Sequence, residues 1–214
     1  DYFMKKNIIM LMGVQRSGTN ILFESLAQDR NLTSFNESID NVFFKNWFLR
    51  PFCEIKKHID KIPGTLLLKP LCESFSREIE DVFAEFDNYN VIIVWLYRNP
   101  VNVYYSQVVQ WGCAVDIFLE HWNMRNKKIL SSLPKYKHRI AIIKYEDILS
   151  NQAIFSSLCK FSGVEAGAFI FRKDSSNGRT HLSEALIAKI EASTHNILVE
   201  LDKNRRFIPS DMLS

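Results

Sequence analysis

Residues 7–20 read NIIMLMGVQRSGTN, an apolar run that leads directly into a loop containing two glycines. The run is apolar at consecutive positions, which is typical of a strand buried on both faces of a parallel sheet. Gly13 and Gly18 are separated by four residues, as in loops whose backbone wraps around a phosphate group. The stretch therefore predicts a strand, an anion-binding turn and the start of a helix.

The loop lacks two residues on which the binding of nucleoside triphosphates depends. Thr19 stands where such loops have lysine, and Asn20 replaces the serine or threonine that holds magnesium. Transfer of a γ-phosphoryl group needs cations that offset the charge of the phosphate oxygens. The loop therefore favours a 5′-phosphate whose leaving charge a single arginine, Arg16, neutralises. A strand-to-helix turn without any ligand is the alternative for so short a motif.

Further apolar segments alternate with segments of helical periodicity. The predicted strands are 7–14, 32–37, 65–71, 91–97 and 139–145, and the predicted helices are 19–29, 75–86, 114–133, 152–162 and 182–201. This alternation predicts an α/β fold, a three-layer sandwich whose central, mostly parallel sheet is flanked by helices. We expect one domain over residues 1–214, in which residues 1–3, ahead of Met4, are interpreted as an added remnant.

The composition excludes several classes of protein. A net charge of +3 over 214 residues is too small for a surface that tracks nucleic acid, so we expect no nucleic acid partner. The apolar runs are too short to cross a bilayer and we find no signal peptide, so we expect a cytoplasmic protein with no membrane partner. The cysteines are scattered, which predicts reduced, mostly buried thiols and no metal site; they are Cys53, Cys72, Cys113 and Cys159.

A second polar motif follows the strand at 91–97. Arg98 is followed by Asn99 and Pro100, a plausible cap and first residue of a helix. Ser106 lies eight residues after Arg98, about two turns into that helix. Arg98 and Ser106 could therefore close on one phosphate group. The alternative is an arginine that caps a neighbouring helix, with a serine at the surface.

Together the two motifs resemble those of the sulfotransferases that use 3′-phosphoadenosine-5′-phosphosulfate (PAPS). QRSGTN (15–20) resembles their 5′-phosphosulfate loop, and RNPVNVYYS (98–106) resembles their 3′-phosphate motif. IAIIKYEDIL (140–149) with LCKFSGV (158–164) resembles a third family segment. The resemblance covers about residues 7–200. It implies a P-loop NTPase-like fold, PAPS as co-substrate, adenosine 3′,5′-bisphosphate (PAP) as product and no metal.

The resemblance also implies roles for individual residues. Arg16 would contact the 5′-phosphate and the bridging oxygen, and Arg98 with Ser106 would bind the 3′-phosphate. Tyr145 would lie near the adenine. Backbone and side-chain donors to the 5′-phosphosulfate would come from Ser17, Gly18, Thr19 and Asn20. The basic loop at 172–183 resembles the last phosphate-binding element of the family, and either Arg172 with Lys173, or Arg179, would reach the 3′-phosphate.

The resemblance implies one of two residue types as the base that takes the proton of the acceptor. Many family members have a histidine two residues after a strand-end lysine, but here Lys69 is followed by Leu71 at that place. Another branch, which includes the tyrosylprotein enzymes, uses a glutamate shortly after the second strand. Glu37 lies there, so we predict Glu37 as general base and Lys69 as the group that steadies the sulfuryl or bridging oxygens. The alternative is that Glu37 merely begins a helix.

The aromatic segment 38–64 predicts where an acceptor binds. One interpretation is a helical lid over a small, partly apolar acceptor, and the other is packing onto the sheet. The compact chain favours transfer to a hydroxyl or amine of a small molecule, and the oligomeric state stays open. An atypical P-loop kinase and a non-catalytic nucleotide-binding protein are the alternative functions.

Overall fold

The computed structural model describes residues 5–170 and 177–207. In chain order the elements are β1 (Asn7–Gly13), α1 (Thr19–Leu26), β2 (Leu32–Asn36), β3 (Phe44–Lys45), β4 (Phe48–Leu49), α2 (Phe52–Ile59), β5 (Thr65–Lys69), α3 (Glu73–Ser76), α4 (Ile79–Glu85), β6 (Asn90–Tyr97), α5 (Pro100–Trp111), α6 (Val115–Tyr136), β7 (Ile140–Lys144), α7 (Tyr145–Ser150), α8 (Gln152–Ser162), a 3-10 turn (Gly178–Thr180) and α9 (Glu184–Asn204).

The central sheet has the strand order β2-β5-β1-β6-β7, and every neighbouring pair is parallel. Strand β1 lies in the middle and is buried on both faces because its residues are apolar on both sides of the pleat. Ile8, Met10 and Met12 pack in the layer that contains α4, α5, α6 and α9, whereas Ile9 and Leu11 pack in the layer that contains α1, α7 and α8. The predicted three-layer α/β sandwich is confirmed.

Helix α6 is fixed on the sheet by a buried polar contact. The indole Nε1 of Trp95 in β6 donates to Oδ1 of Asn126 at 2.9 Å, and Nδ2 of Asn126 donates to the Trp122 carbonyl at 2.9 Å. Trp95 and Asn126 are fully buried, so an unmade hydrogen bond there would be costly. The contact therefore sets the rotation of α6 about its axis, and with it the direction in which the neighbouring residue, Arg125, points.

Two sequence-based predictions differ from the structure. The predicted helix at 75–86 is two helices, α3 and α4, because Arg77 and Glu78 between them have extended backbone. Of the four cysteines, which are all free, only Cys159 is buried, so the prediction of mostly buried thiols is wrong. Within the described residues, no helix is both long enough and apolar enough to cross a membrane.

The aromatic segment 38–64 is helical only in α2. A short antiparallel hairpin, β3 and β4, precedes that helix. Phe43 and Phe44 are fully buried in the core, whereas Trp47 and Phe48 at the hairpin are 54% and 48% exposed. Part of the segment therefore packs onto the sheet layer, and its tip presents aromatic rings to solvent.

Gly13, the last residue of β1, lies where β1 passes very close to β6. Its φ is 145°, and a Cβ built there would lie 2.2 Å from the Leu96 carbonyl oxygen of β6. Gly112 also has a positive φ, of 65°, but a Cβ there meets open space. We expect Gly112→Ala to lower the free energy of unfolding by about 1 kcal/mol, and Gly13→Ala to lower it by about 3 kcal/mol or more. Chemical denaturation measures both, and equal losses would contradict the close approach.

Candidate active site

The polar residues singled out in the sequence lie along one edge of the sheet. Parallel strands end at the same edge, where ligands of open α/β sheets bind. Glu37 follows β2 directly, Lys69 ends β5, the loop at 14–18 follows β1, Arg98 follows β6, and Tyr145 follows β7. Because the strand order is β2-β5-β1-β6-β7, these groups succeed one another across the edge in that order.

The loop after β1 has a constrained backbone. Arg16 has a φ of 71°, in the left-handed region that a residue with a Cβ rarely adopts. Gly18 precedes α1 with a φ of 93°, and a Cβ on it would lie 2.3 Å from Cε2 of Tyr145. The Ser17 hydroxyl is fully buried, and within the described residues it has no hydrogen-bond partner. Such strain and such an orphaned polar atom are typical of a functional loop.

The loop meets the motif that follows β6. Nε of Arg16 donates to the Ser106 hydroxyl at 2.8 Å, and the Arg98 guanidinium donates to the Arg16 carbonyl at 3.4 Å. The Arg98 guanidinium also lies 5.0 Å from the centre of the Tyr145 ring, the ring that covers Gly18. The structure thus brings the two motifs, 82 residues apart in sequence, into direct contact.

The turn that carries Arg98 is held by two neighbouring side chains. Asn99 caps α5 as expected, since its side chain accepts from the Val101 amide. The carboxylate of Glu146 accepts from the Asn99 amide at 2.9 Å, and burial raises the pKa of Glu146 against that hydrogen bond. Asp147 pairs with Arg205 at 3.1 Å. Glu146 and Asp147 therefore tie the first turn of α7 to the end of β6 and to the C-terminal end of α9.

Glu37 and Lys69 form a buried pair on the other side of the loop. Nζ of Lys69 lies 3.8 Å from Oε1 of Glu37 and donates to Oδ1 of Asn20 at 2.7 Å. The Cys72 amide donates to Oε2 of Glu37 at 3.2 Å. Burial raises the pKa of Glu37 to about 7, although Lys69 opposes the rise, and burial lowers the pKa of Lys69. Glu37 lies in a turn and begins no helix.

The basic loop near residue 178 reaches the start of α5. The Gly178 amide donates to Oδ1 of Asn102 at 2.9 Å, and a Cβ on Gly178 would lie 2.6 Å from the Val101 carbonyl oxygen. The guanidinium of Arg179 pairs with Glu191 of α9. The other candidates of this loop, Arg172 and Lys173, lie outside the described residues. The structure therefore brings Gly178 beside the helix that carries Ser106.

Sequence analysis did not identify Arg125 of α6, a buried charge at this edge of the sheet. Only 5% of its surface is exposed, and its guanidinium faces the carbonyls of Gly13 and Leu71 at the ends of β1 and β5. A signal was present in the sequence, because Arg125 falls on the apolar stripe of the helix, three residues after Trp122 and four before Ile129.

Within the described residues, no group of histidine, cysteine and acidic side chains could hold a metal ion.

Comparisons with known proteins agree on the fold and the family. A family model described as a sulfotransferase domain matches residues 6–183. None of the curated protein sequences is significantly similar to the chain.

Several solved structures share the fold at low sequence identity. A sulfotransferase from Alicyclobacillus acidocaldarius has a TM-score of 0.64 and 13% identity, over 95% of this chain and 97% of that one. Mouse sulfotransferase SULT7A1, complexed with PAP, has a TM-score of 0.59 and 13% identity, over 92% of this chain and 87% of that one. A sulfotransferase domain from the curacin biosynthetic pathway has a TM-score of 0.56 and 18% identity, over 93% and 98% of the two chains. Because the family model spans most of the residues, this chain belongs to the sulfotransferase domain family.

Proposed function

We propose that this protein transfers a sulfuryl group from PAPS to a hydroxyl or amine of a small-molecule acceptor and releases PAP. The order of groups along the edge of the sheet carries the proposal. A carboxylate and a lysine lie at one end, the anion-binding loop is central, and Arg98 lies on its other side. A nucleotide with a sulfated 5′-phosphate and a 3′-phosphate presents its own groups in a matching order.

The residues present fit the phosphate groups of the donor. The buried Ser17 hydroxyl and the first amides of α1, together with Gly18 and Thr19, suit the 5′-phosphate, as the N-terminus of a helix favours an anion. Arg98 and Ser106 suit the 3′-phosphate, because a planar guanidinium can bind two phosphate oxygens at once. Arg179, or Arg172 with Lys173, would complete that pocket.

The same residues oppose a magnesium-dependent triphosphate. Oδ1 of Asn20, at the place where a P-loop hydroxyl would bind magnesium, accepts a hydrogen bond from Lys69. Lys69 reaches the loop from β5 and lies beside Glu37. Its positive charge is therefore on the side of the loop where we place the acceptor. This arrangement favours chemistry that needs the cradle for a phosphate but no metal.

The proposed reaction is an in-line displacement at sulfur. Oxygen or nitrogen of the acceptor forms a bond to sulfur while the bond from sulfur to the oxygen bridging it to the 5′-phosphate breaks, and Glu37 accepts the proton of the acceptor. Arg16 and Lys69 stabilise the charge that develops on the bridging and sulfuryl oxygens. A base whose pKa is about 7 suits this task, because it is ionised near neutral pH and still takes a proton readily.

The segment 38–64 supplies the surroundings of the proposed acceptor. The Leu49 amide of the hairpin donates to Oε1 of Glu73 at 3.0 Å, which ties the hairpin to the turn that follows Lys69. On the opposite side, the exposed Trp111 ring lies 6.0 Å from the Arg16 guanidinium carbon. The exposed rings of Trp47 and Phe48 at the hairpin, and of Trp111 beside Arg16, support a small, partly apolar acceptor, with the hairpin as its lid.

The nucleotide assignment predicts a preference for the 3′-phosphate. We expect PAP to bind in the presence of EDTA and more tightly than adenosine 5′-monophosphate, as measured by isothermal titration calorimetry. Arg98→Ala should reduce that preference by about tenfold or more, because a hydrogen bond to a charged group contributes about 1.5–3 kcal/mol. Arg139→Ala, at an arginine that binds the Val91 carbonyl outside the site, is the control. Equal affinity of the wild-type protein for both nucleotides would refute the assignment.

The role of Glu37 predicts a specific dependence on pH. With radiolabelled PAPS and a panel of phenols, alcohols and amines, we expect kcat/KM to rise as the pH rises through about 7, because Glu37 must be ionised to accept a proton. Glu37→Gln should reduce kcat by about 100-fold or more and remove this rising limb, while PAP affinity is retained. Glu54→Gln, at an exposed carboxylate of α2, should change neither. Failure of every acceptor in the panel would favour the alternative function, a nucleotide-binding protein without catalysis.

A further inference from the structure

Arg125 is a buried cation that belongs to neither of the phosphate-binding motifs. It lies on α6, next to the Asn126 side chain that anchors this helix to Trp95. One of its guanidinium nitrogens is 3.2 Å from the Ser74 hydroxyl, 3.4 Å from the Gly13 carbonyl oxygen and 3.5 Å from the Leu71 carbonyl oxygen. Burying a charge costs free energy, so the groups that Arg125 contacts indicate what the residue does.

The partners of Arg125 come from two different strand ends. Gly13 is the last residue of β1 and begins the phosphate loop, whereas Leu71 lies two residues beyond the end of β5. The Ser74 hydroxyl bridges the same two carbonyls, at 3.0 Å from that of Gly13 and 2.5 Å from that of Leu71. Arg125 and Ser74 together therefore hold the exits of two adjacent strands at a fixed separation.

The carbonyl of Leu71 belongs to the same peptide group as the amide of Cys72. That amide donates to Oε2 of Glu37 at 3.2 Å. In a trans peptide the C=O and N–H bonds point in opposite directions within the peptide plane, so the cation at the oxygen and the carboxylate at the amide lie at opposite edges of the peptide group. The positive charge polarises the peptide and strengthens the amide as a donor. One peptide thus connects Arg125 to Glu37.

We propose that Arg125 is a positioning residue, which fixes the Leu71–Cys72 peptide so that its amide faces the Glu37 carboxylate and at the same time fixes the carbonyl from which the phosphate loop starts. Its catalytic meaning rests on the proposed function, in which Glu37 is the base. Leu71 stands where the resemblance implies a histidine for many family members, and here the residue contributes through its backbone.

The charges around Glu37 agree in sign with this role. Lys69 and Arg125 lower the pKa of Glu37, as does the Cys72 amide, against the rise caused by burial. Burial lowers the pKa of Arg125 to about 10, so the guanidinium stays charged at neutral pH. Burial raises the pKa of the Cys72 thiol to about 11, so that neighbour stays neutral. The carboxylate of Glu73, the first residue of α3, lies 3.8 Å from the Arg77 guanidinium.

The proposal is tested by titrating Glu37 in the nucleotide-free protein. Carboxyl NMR of protein labelled with carbon-13 at glutamate follows each side chain, and the spectrum of Glu37→Gln assigns the signal. In Arg125→Met, which removes the charge at similar volume, we expect the midpoint of Glu37 to rise by roughly 0.5 pH unit, less than the shift caused by a direct ion pair. The Cys72 amide proton should follow the Glu37 titration in the wild type, and in Arg125→Met it should shift upfield, toward a weaker hydrogen bond.

Arg139→Met is the matched control, because Arg139 is partly buried and binds a backbone carbonyl away from the site. Its guanidinium lies 4.5 Å from the centre of the Phe83 ring, much as that of Arg125 lies 5.3 Å from the centre of the Phe75 ring. This control variant should leave the Glu37 midpoint unchanged. If Arg125→Met does not fold, Ser74→Ala, which removes the bridging hydroxyl, should shift the Cys72 amide in the same direction. A wild-type Glu37 midpoint in folded Arg125→Met, or an unmoved Cys72 amide in Ser74→Ala, would overturn the proposal.

Kinetics separate this proposal from the proposed function. If the wild-type protein transfers sulfate, Arg125→Met should move the rising limb of kcat/KM to higher pH, with a loss of about threefold below the midpoint that is recovered at high pH. A loss that is the same at every pH would overturn the role of Arg125 in setting Glu37. If no acceptor is sulfated, the proposed function fails, whereas the NMR titration still decides whether Arg125 acts on Glu37.

Discussion

The parallel pairing of β1 between β5 and β6 is the constraint on which the site depends. Because all five strands of the sheet run in the same direction, every functional loop leaves at one edge, and no hairpin separates them. Gly13 permits the backbone of β1 to pass close to β6 as it turns into the loop at 14–18. From this pairing follow the contact of Arg16 with Ser106 and the approach of Lys69 to Asn20.

Several charged side chains are buried at this edge of the sheet, where the loss of hydration is unfavourable to the charged form. Glu37, Lys69 and Arg98 are each exposed by only 3–4%. Desolvation drives the pKa of Glu37 up and that of Lys69 down, so the pair contributes little net stability, as is usual for buried ion pairs. Such perturbed groups in a polar edge are characteristic of functional sites. The stability of the fold comes instead from the apolar layers on both faces of the sheet.

Backbone amides and carbonyls make several of the polar contacts at this edge of the sheet. The amides at the start of α1 offer donors to an anion, and the Leu71–Cys72 peptide links Arg125 to Glu37. A backbone group is held at both ends by the chain, so it loses less freedom on ordering than a long side chain does. The peptide before Cys72 therefore holds the Glu37 carboxylate without any contribution from the Leu71 side chain.

The sequence by itself determined the five strands of the central sheet, their alternation with helices, and the glycine spacing of the loop that follows β1. Burial on both faces of a parallel sheet leaves uninterrupted apolar runs, and the glycine spacing of a phosphate loop is local in the chain. The hairpin of residues 44–49, the break at Arg77 and the role of Arg125 were decided by tertiary structure. A two-residue strand has no periodicity to detect, and Arg125 acquires its partners only when α6 packs against the ends of β1 and β5. Contacts between groups far apart in the chain depend on strand order, which local patterns do not encode.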